Sequence, residues 1–351
     1  MNTNPVLVEA LRGGIVESMH RGALAIVDAA GAVHTAQGDI DQPIFARSAV
    51  KVLQALPLVE SGAAEQWQLN DDELAIACAS HGGEDIHTRT AAGMLAKAGV
   101  DVQALECGAH WPYNEGAVRA LAAQGQQPTA LHNNCSGKHA GFVCLGCTMA
   151  GKNSVHDARG FLTAYVRPDH PVMREVSNAL QAATGFDLSK TARGVDGCSI
   201  PTFAIPLRHL AQAFARVATG LGLSPGHALA AKRLRQAVAA APLLVAGTGR
   251  FDTRVMTQLG ERVFCKVGAE GVYCAALPEL GLGVAIKMDD GNNARACEVA
   301  MACLVERLLV LNEGDASFMR SLSDLRLSNW NGIEVGRLRA AALLRNQSPM
   351  S

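Results

Sequence analysis

The sequence predicts an α+β fold: one antiparallel sheet of about five strands built from both chain ends, flanked by helices, plus a mostly helical lobe. Three observations predict it. Strand-and-turn patterns occur near the start and again in the last third of the chain, and helix-period patterns fill the middle. The 351 residues are 49% hydrophobic and 18% charged. A chain of this size buries roughly three quarters of its unfolded surface, enough for a large core without disulfide staples. We expect one two-lobed unit over residues 1–351, with the sheet lobe at about 1–45 and 250–351 and the helical lobe at about 46–249.

The first element is a hairpin. Gly22-Ala-Leu-Ala-Ile-Val27 leads through Asp28-Ala-Ala-Gly31 into Ala32-Val-His-Thr35. A helical stretch then runs from about Arg47 to Glu60, with Val50, Leu53, Leu56 and Leu58 on its apolar side and Gly62 closing it. Asn70 precedes Glu73 at capping-box spacing and starts the run Leu74 to Cys78. Further helices are expected over Ile86 to Ala98, from His139 to about Met149, and after Pro171, a favoured first helical residue. Leu207–Ala218 and His227–Ala240 add two more. The last third changes character: Val263–Val267 and Val272–Leu277 form a tight hairpin around Gly268 to Gly271, and Leu282–Met288 is a third strand. Asp289-Asp-Gly-Asn then caps a long helix at about Ala294 to Leu311. Strands from both ends beside a helical middle leave a cleft between lobes as the default site.

Composition excludes several classes. Lys plus Arg is 31 and Asp plus Glu 32, a net charge of −1, without the basic surplus of a nucleic-acid binder. Aromatic residues are 4%, too few for base-stacking platforms. The ten cysteines are scattered through apolar runs, which suits small buried hydrophobes in a reducing compartment. No signal-peptide pattern opens the sequence, and its most apolar stretch, Ala237 to Ala246, is half a membrane span. The expectation is a cytoplasmic protein.

Ser48-Ala-Val-Lys51 is the strongest chemical signal. Residues i and i+3 share a helix face, and a serine in the first turn lies near unpaired backbone N–H groups. Serine becomes a nucleophile when a base takes its proton, and lysine is such a base only when neutral. Its ordinary value near 10.4 must fall by about 3 units, through burial and a second cation. By itself, Ser-x-x-Lys more often marks a solvated helix start. Two further elements change that balance. Ser80-His81-Gly82 places a second hydroxyl in a turn after a helix, a proton relay or else a plain cap. Lys266-Val-Gly268 lies on a strand at the cleft, where lysine supplies a second cation and the N–H groups around Gly268 and Ala269 an oxyanion hole, unless the lysine faces water. The order Ser-x-x-Lys, Ser-containing turn, Lys-x-Gly on a strand is the serine β-lactamase plan.

A second constellation is Asn133-Asn-Cys135-Ser-Gly-Lys138-His139 with Val195-Asp-Gly-Cys198. Two loop cysteines could be metal-bound thiolates, with His139 and Asp196 joining or buttressing, or could simply pack. Other patterns fail. Cys144-Leu-Gly-Cys147 has redox spacing but lies inside a helix without a second pair. Gly137-Lys138 lacks the upstream glycine of a phosphate loop, and Gly247-Thr248 is only a bare pair.

With these residues in hand, the chain resembles the Rhizobium-etli-type (class 3) L-asparaginases over about residues 8 to 307. The resemblance is carried by Arg12-Gly-Gly-Ile-Val-Glu-Ser-Met-His20, Arg47-Ser-Ala-Val-Lys51, Ser80-His-Gly-Gly-Glu84, His132-Asn-Asn-Cys-Ser-Gly-Lys-His139, Asp196-Gly-Cys198 and Lys266-Val-Gly-Ala-Glu-Gly271. The Thr-Gly-Gly-Thr start of the bacterial type I and II enzymes is missing. The resemblance implies a homodimer of serine β-lactamase-like fold that hydrolyses L-asparagine to L-aspartate and ammonia. It implies Ser48 as nucleophile, Lys51 as base, Ser80 as relay to the leaving amine and Lys266 as support. It places Arg47, His139 and Asp196 near the substrate and implies Zn2+ on Cys135, Lys138 and Cys198, structural or substrate-orienting. The same device would serve a glutaminase or a D,D-peptidase-like amidase, or persist in a non-catalytic ligand-binding relative; zinc-centred hydrolysis with Ser48 as bystander is a further alternative.

Overall fold

The computed structural model describes residues 3–151 and 155–346. Eight strands form one antiparallel sheet from both chain ends. They are β1 (Val6–Arg12), β2 (Ile15–Asp28), β3 (Val33–Gln37), β7 (Phe264–Val267), β8 (Val272–Leu277), β9 (Leu282–Met288), β10 (Asp324–Ser328) and β11 (Glu334–Ala340). The order is β10-β11-β1-β2-β9-β8-β7, with β3 also on β2. The strands expected from hairpin patterns are present. The sheet is wider than five because two hairpins join it. Gly13 and Gly14, both at positive φ, close β1 onto β2. The Asn331-Gly332 turn closes β10 onto β11, with Asn329 Oδ1 accepting from the Asn331 and Ile333 N–H groups. All six residues of β8 are buried. Successive side chains point to opposite faces, so the sheet is covered on both sides there. The helix Leu207–Thr219 lies across β2, β8 and β9, and the helix Glu298–Leu308 against β1 and β11. A Cβ at Gly283 would overlap the Ala211 carbonyl, so glycine sets how close the first of these helices comes.

Helices occupy most of the middle, as expected, and the Asn70–Glu73 capping box is formed. The stretch from Arg47 to Glu60 is not one helix. It is a 3-10 turn Arg47–Val50, then Lys51–Gln54, then Leu56–Glu60. Pro57 lacks the N–H that would continue the ladder, so the run breaks before it. Asn293–Cys297 is likewise a π turn leading into Glu298–Leu308.

A second, three-stranded sheet was not expected. It joins β4 (Pro43–Phe45), β5 (Arg193–Val195) and β6 (Pro201–Pro206), with β6 in the centre and both neighbours antiparallel to it. Strands β4 and β5 therefore run in the same direction and leave the sheet at the same end. The residues that follow them are Ala46-Arg47-Ser48 and Asp196-Gly197-Cys198. This small sheet places the two chain segments of the site side by side.

Candidate active site

Ser48 is half-buried in the first turn of Arg47–Val50, directly after Arg47 at a φ of 50°. A left-handed arginine is strained backbone. It is held here by an ion pair, since Arg47 Nε donates to Asp196 Oδ1 at 2.7 Å. Asp196 Oδ1 also accepts the Gly197 N–H at 2.8 Å. Burial pushes the Asp196 carboxyl up, but Lys138 and then Arg47 outweigh it and leave the group below its ordinary value.

Lys51 is buried and points into the interior of the site. Its Nζ donates to Ala79 O at 2.5 Å, Ser80 Oγ at 2.8 Å and Asn134 O at 3.4 Å. Burial lowers its pKa; Cys135 opposes the shift and Lys138 adds to it. No hydrogen bond joins Lys51 Nζ to Ser48 Oγ among the described residues. The hydroxyl nearest the amine is Ser80, which sits on the turn after Asp71–Ala77 with its N–H bonded to Val245 O at 2.9 Å. A neutral lysine has two N–H groups and one lone pair. Two carbonyls can take the N–H groups, and the lone pair then accepts from a serine hydroxyl.

The helix Ser136–Ala150 begins at the site. Its first residues are buried against Asp71–Ala77, where a Cβ at Gly137 would overlap the Ile76 carbonyl. The preceding loop is pinned by Asn133, whose Nδ2 donates to Cys107 O and whose Oδ1 accepts the Cys135 N–H. Lys138 Nζ lies 2.9 Å from Cys198 Sγ. A hydrogen bond from Cys198, opposed by burial and reinforced by Lys138 and Lys51, holds the Cys135 thiol well below its ordinary value. The Cys198 thiol is raised, first by that same bond. Burial pulls Lys138 down, but the two sulfurs raise it overall. Two sulfurs and one amine thus converge, one already biased toward thiolate. This is a donor set that fits zinc. No group of three or more His, Cys, Asp or Glu side chains gathers to hold a metal among the described residues.

His139 is fully buried and kept neutral by that burial. Tyr165 Oη accepts the Glu106 N–H and lies 2.6 Å from His139 Nδ1. His139 Nε2 is buried with no partner among the described residues. On the other wall, Lys266 is fully buried on β7. Gly268 packs so tightly that an added Cβ would lie 2.7 Å from Ala46 O, next to Arg47 and Ser48. The backbone N–H groups of Ser48 and Ala269 have no acceptor among the described residues.

The predicted residues Lys51, Ser80, Cys135, Lys138 and Cys198 are linked through direct contacts, Arg47 and Asp196 form a separate pair that feels the charge of Lys138, and Ser48 and Lys266 flank them. Asn134, Tyr165 and Asp252 were missed as contributors. Asn134 stood inside a quoted motif, whereas nothing in the local pattern marks Tyr165 or Asp252. All ten cysteines are free and buried, and Cys144 and Cys147 lie in the core as expected. Thr248 binds Glu84 through its N–H and its hydroxyl, a structural clasp.

A half-buried serine, two buried lysines and a second, buried serine are the groups a serine–lysine hydrolase would use. The L-asparaginase II family profile matches residues 8–340, and the chain belongs to that family. No curated protein matches the chain. Among solved structures, a β-lactamase from Mycobacterium bovis aligns at 13% identity and TM-score 0.41, over 81% of this chain and 94% of that one. Mglu in its native form aligns at 15% identity and TM-score 0.36, over 88% and 70%. Simvastatin synthase (LovD) from Aspergillus terreus aligns at 13% and 0.34, over 76% and 86%. Superpositions this loose carry no functional inference. No helix among the described residues is long and apolar enough to cross a membrane.

Proposed function

We propose that the protein hydrolyses L-asparagine to L-aspartate and ammonia through an acyl-enzyme on Ser48. The observation that carries this reading is the burial of Lys51 in hydrogen-bond contact with Ser80, inside a chain of the L-asparaginase II family. Burial favours the neutral amine that a serine nucleophile needs. Ser48 Oγ attacks the side-chain carboxamide carbon, and its proton passes to the Lys51 amine. The unpaired N–H groups of Ser48 and Ala269 are the donors for the developing oxyanion. Lys51 returns the proton through Ser80 to the departing nitrogen, and ammonia leaves. Water then enters by the same path in reverse and frees aspartate.

The Arg47–Asp196 pair complements an α-amino acid, with Arg47 taking the α-carboxylate and Asp196 the α-ammonium. His139, whose Nε2 has no partner among the described residues, is a further polar group for the substrate. Cys135, Lys138 and Cys198 would hold zinc, which when bound supplies a fixed positive charge that orients the substrate. Lys138 would give up its proton to bind it. A homodimer is part of the same reading, and sedimentation tests it.

A specific contact supports a second reading. Ser80, not Ser48, touches Lys51, so Ser80 could be the hydroxyl that is acylated. Its near-complete burial, against the half-buried Ser48, favours Ser48. The test is ammonia release from asparagine and glutamine side by side. We expect turnover of asparagine with loss of about three orders of magnitude or more in Ser48→Ala. Turnover of glutamine alone, or none at catalytic protein concentration, overturns the substrate assignment.

A further inference from the structure

Lys266 needs a counter-charge that none of the motifs supplies. Its side chain has no exposed surface, and its Nζ donates to Val267 O at 2.9 Å. Within 4.0 Å it meets one carboxylate among the described residues, Asp252 Oδ2 at 3.9 Å. Asp252 is itself 2% exposed and lies in the first turn of the helix Phe251–Leu259. The same oxygen accepts the Val267 N–H at 3.2 Å. One buried carboxylate therefore grips both the lysine and the backbone of the strand that carries it. An ammonium buried without such a partner would be too costly to persist.

The surrounding charges single out this pair. Lys51, Arg250 and Cys135 act on Lys266, and the thiols Cys78, Cys265 and Cys274 lie near it. Glu298 feels the charge of Asp252, and burial and then Asp252 push it up to about 7, so it is about half charged at neutral pH and uncharged below about pH 6. Burial also raises the Asp252 carboxyl, and Lys266 and the Val267 N–H oppose that rise and favour its anion.

We propose that Asp252 is a positioning residue that holds Lys266 as an ammonium facing the serine–lysine site. This rests on the asparaginase reading above, since it gives Lys266 its task. Burial brings the Lys266 pKa down to about 7, and Asp252 is the largest influence opposing that fall. Removing the carboxylate lowers it further and empties the ammonium at a lower pH.

The test compares Asp252→Asn and Asp252→Glu with wild type in the full chain. In Asp252→Asn, kcat at pH 7.5 should fall about five- to tenfold with KM nearly unchanged. The alkaline limb of the kcat profile should move down by about one pH unit, so activity partly returns near pH 6. Asp252→Glu should restore most of the rate and the limb. A loss equal at all pH values, with the limb in place, is a merely structural effect and overturns the proposal, as does an unchanged kcat. An independent readout covers the case in which asparagine is not the substrate. In protein labelled with 13C at lysine Cε, the Lys266 signal, assigned with Lys266→Met, should titrate near pH 7 in wild type and lower in Asp252→Asn. Identical titration in both refutes the inference whatever the substrate. Loss of asparaginase activity in wild type with the NMR shift intact refutes the reading and leaves the pair standing.

Discussion

Replacing Asp196 by Asn tests how the site would recognise an amino acid. The substitution keeps shape and removes charge. The Asp196 side chain is 10% exposed and carries the Arg47 ion pair at 2.7 Å. An α-ammonium on this carboxylate would form a charge-assisted hydrogen bond worth about 1.5–3 kcal/mol. At 1.4 kcal/mol per tenfold, KM should rise roughly 10- to 150-fold. The reacting carboxamide does not touch Asp196 in this scheme, so kcat should change by about fivefold at most. Ammonia release against asparagine concentration measures both constants. A KM within about twofold of wild type would remove Asp196 from substrate binding. Stability supplies a second check. The folded pKa of Asp196 is depressed, so its contribution is present above the unfolded value near 3.9 and is lost as pH falls through the folded one. The thermal midpoint of Asp196→Asn should lie a few degrees below wild type at pH 7, about 2–4 °C per kcal/mol lost, and the gap should close in acid.

Three further outcomes are expected. Metal analysis after reconstitution should find about one zinc per chain, lost in Cys198→Ala, and zinc binding near pH 7 should release about two protons, from Lys138 and Cys198; unchanged stoichiometry in the variant would place the metal elsewhere. Gly268→Ala should lower the melting temperature by several degrees and kcat by about tenfold or more, because a Cβ 2.7 Å from Ala46 O and 2.9 Å from Val272 Cβ must push Ala46-Arg47-Ser48 aside; a variant as stable and active as wild type would contradict that packing. Ser80→Ala should lose about two orders of magnitude in kcat and keep its KM, read from the same ammonia assay; a change in KM alone would make Ser80 a binding residue.

Much of the fold was legible because hydrophobic period and turn chemistry agree along most of the chain. Asn70 with Glu73, Pro171, and the glycines around β7 and β8 each mark an element boundary by local physics. The small second sheet, not anticipated, depends on distant partners. Strand β6 reads Pro-Thr-Phe-Ala-Ile-Pro and becomes a strand because β4 and β5 flank it. Strand β1 follows from Gly13-Gly14, and β10 with β11 from Asn331-Gly332, both signals present in the sequence. At the site, motif spacing identified the residue types but not their partners. Lys51 sits i+3 from Ser48, yet its amine turns inward to Ser80 and two carbonyls, because the interior offers acceptors that a helix surface lacks. Asp252 meets Lys266 only because the helix Phe251–Leu259 packs on β7, a contact with no local signature.

The most direct measurement is mass mapping of the covalent intermediate, with protein quenched in acid during asparagine turnover and digested. The aspartyl adduct should sit on the peptide containing Ser48 and be absent from Ser48→Ala. An adduct on the Ser80 peptide, or steady turnover in Ser48→Ala, would contradict the assignment of the nucleophile.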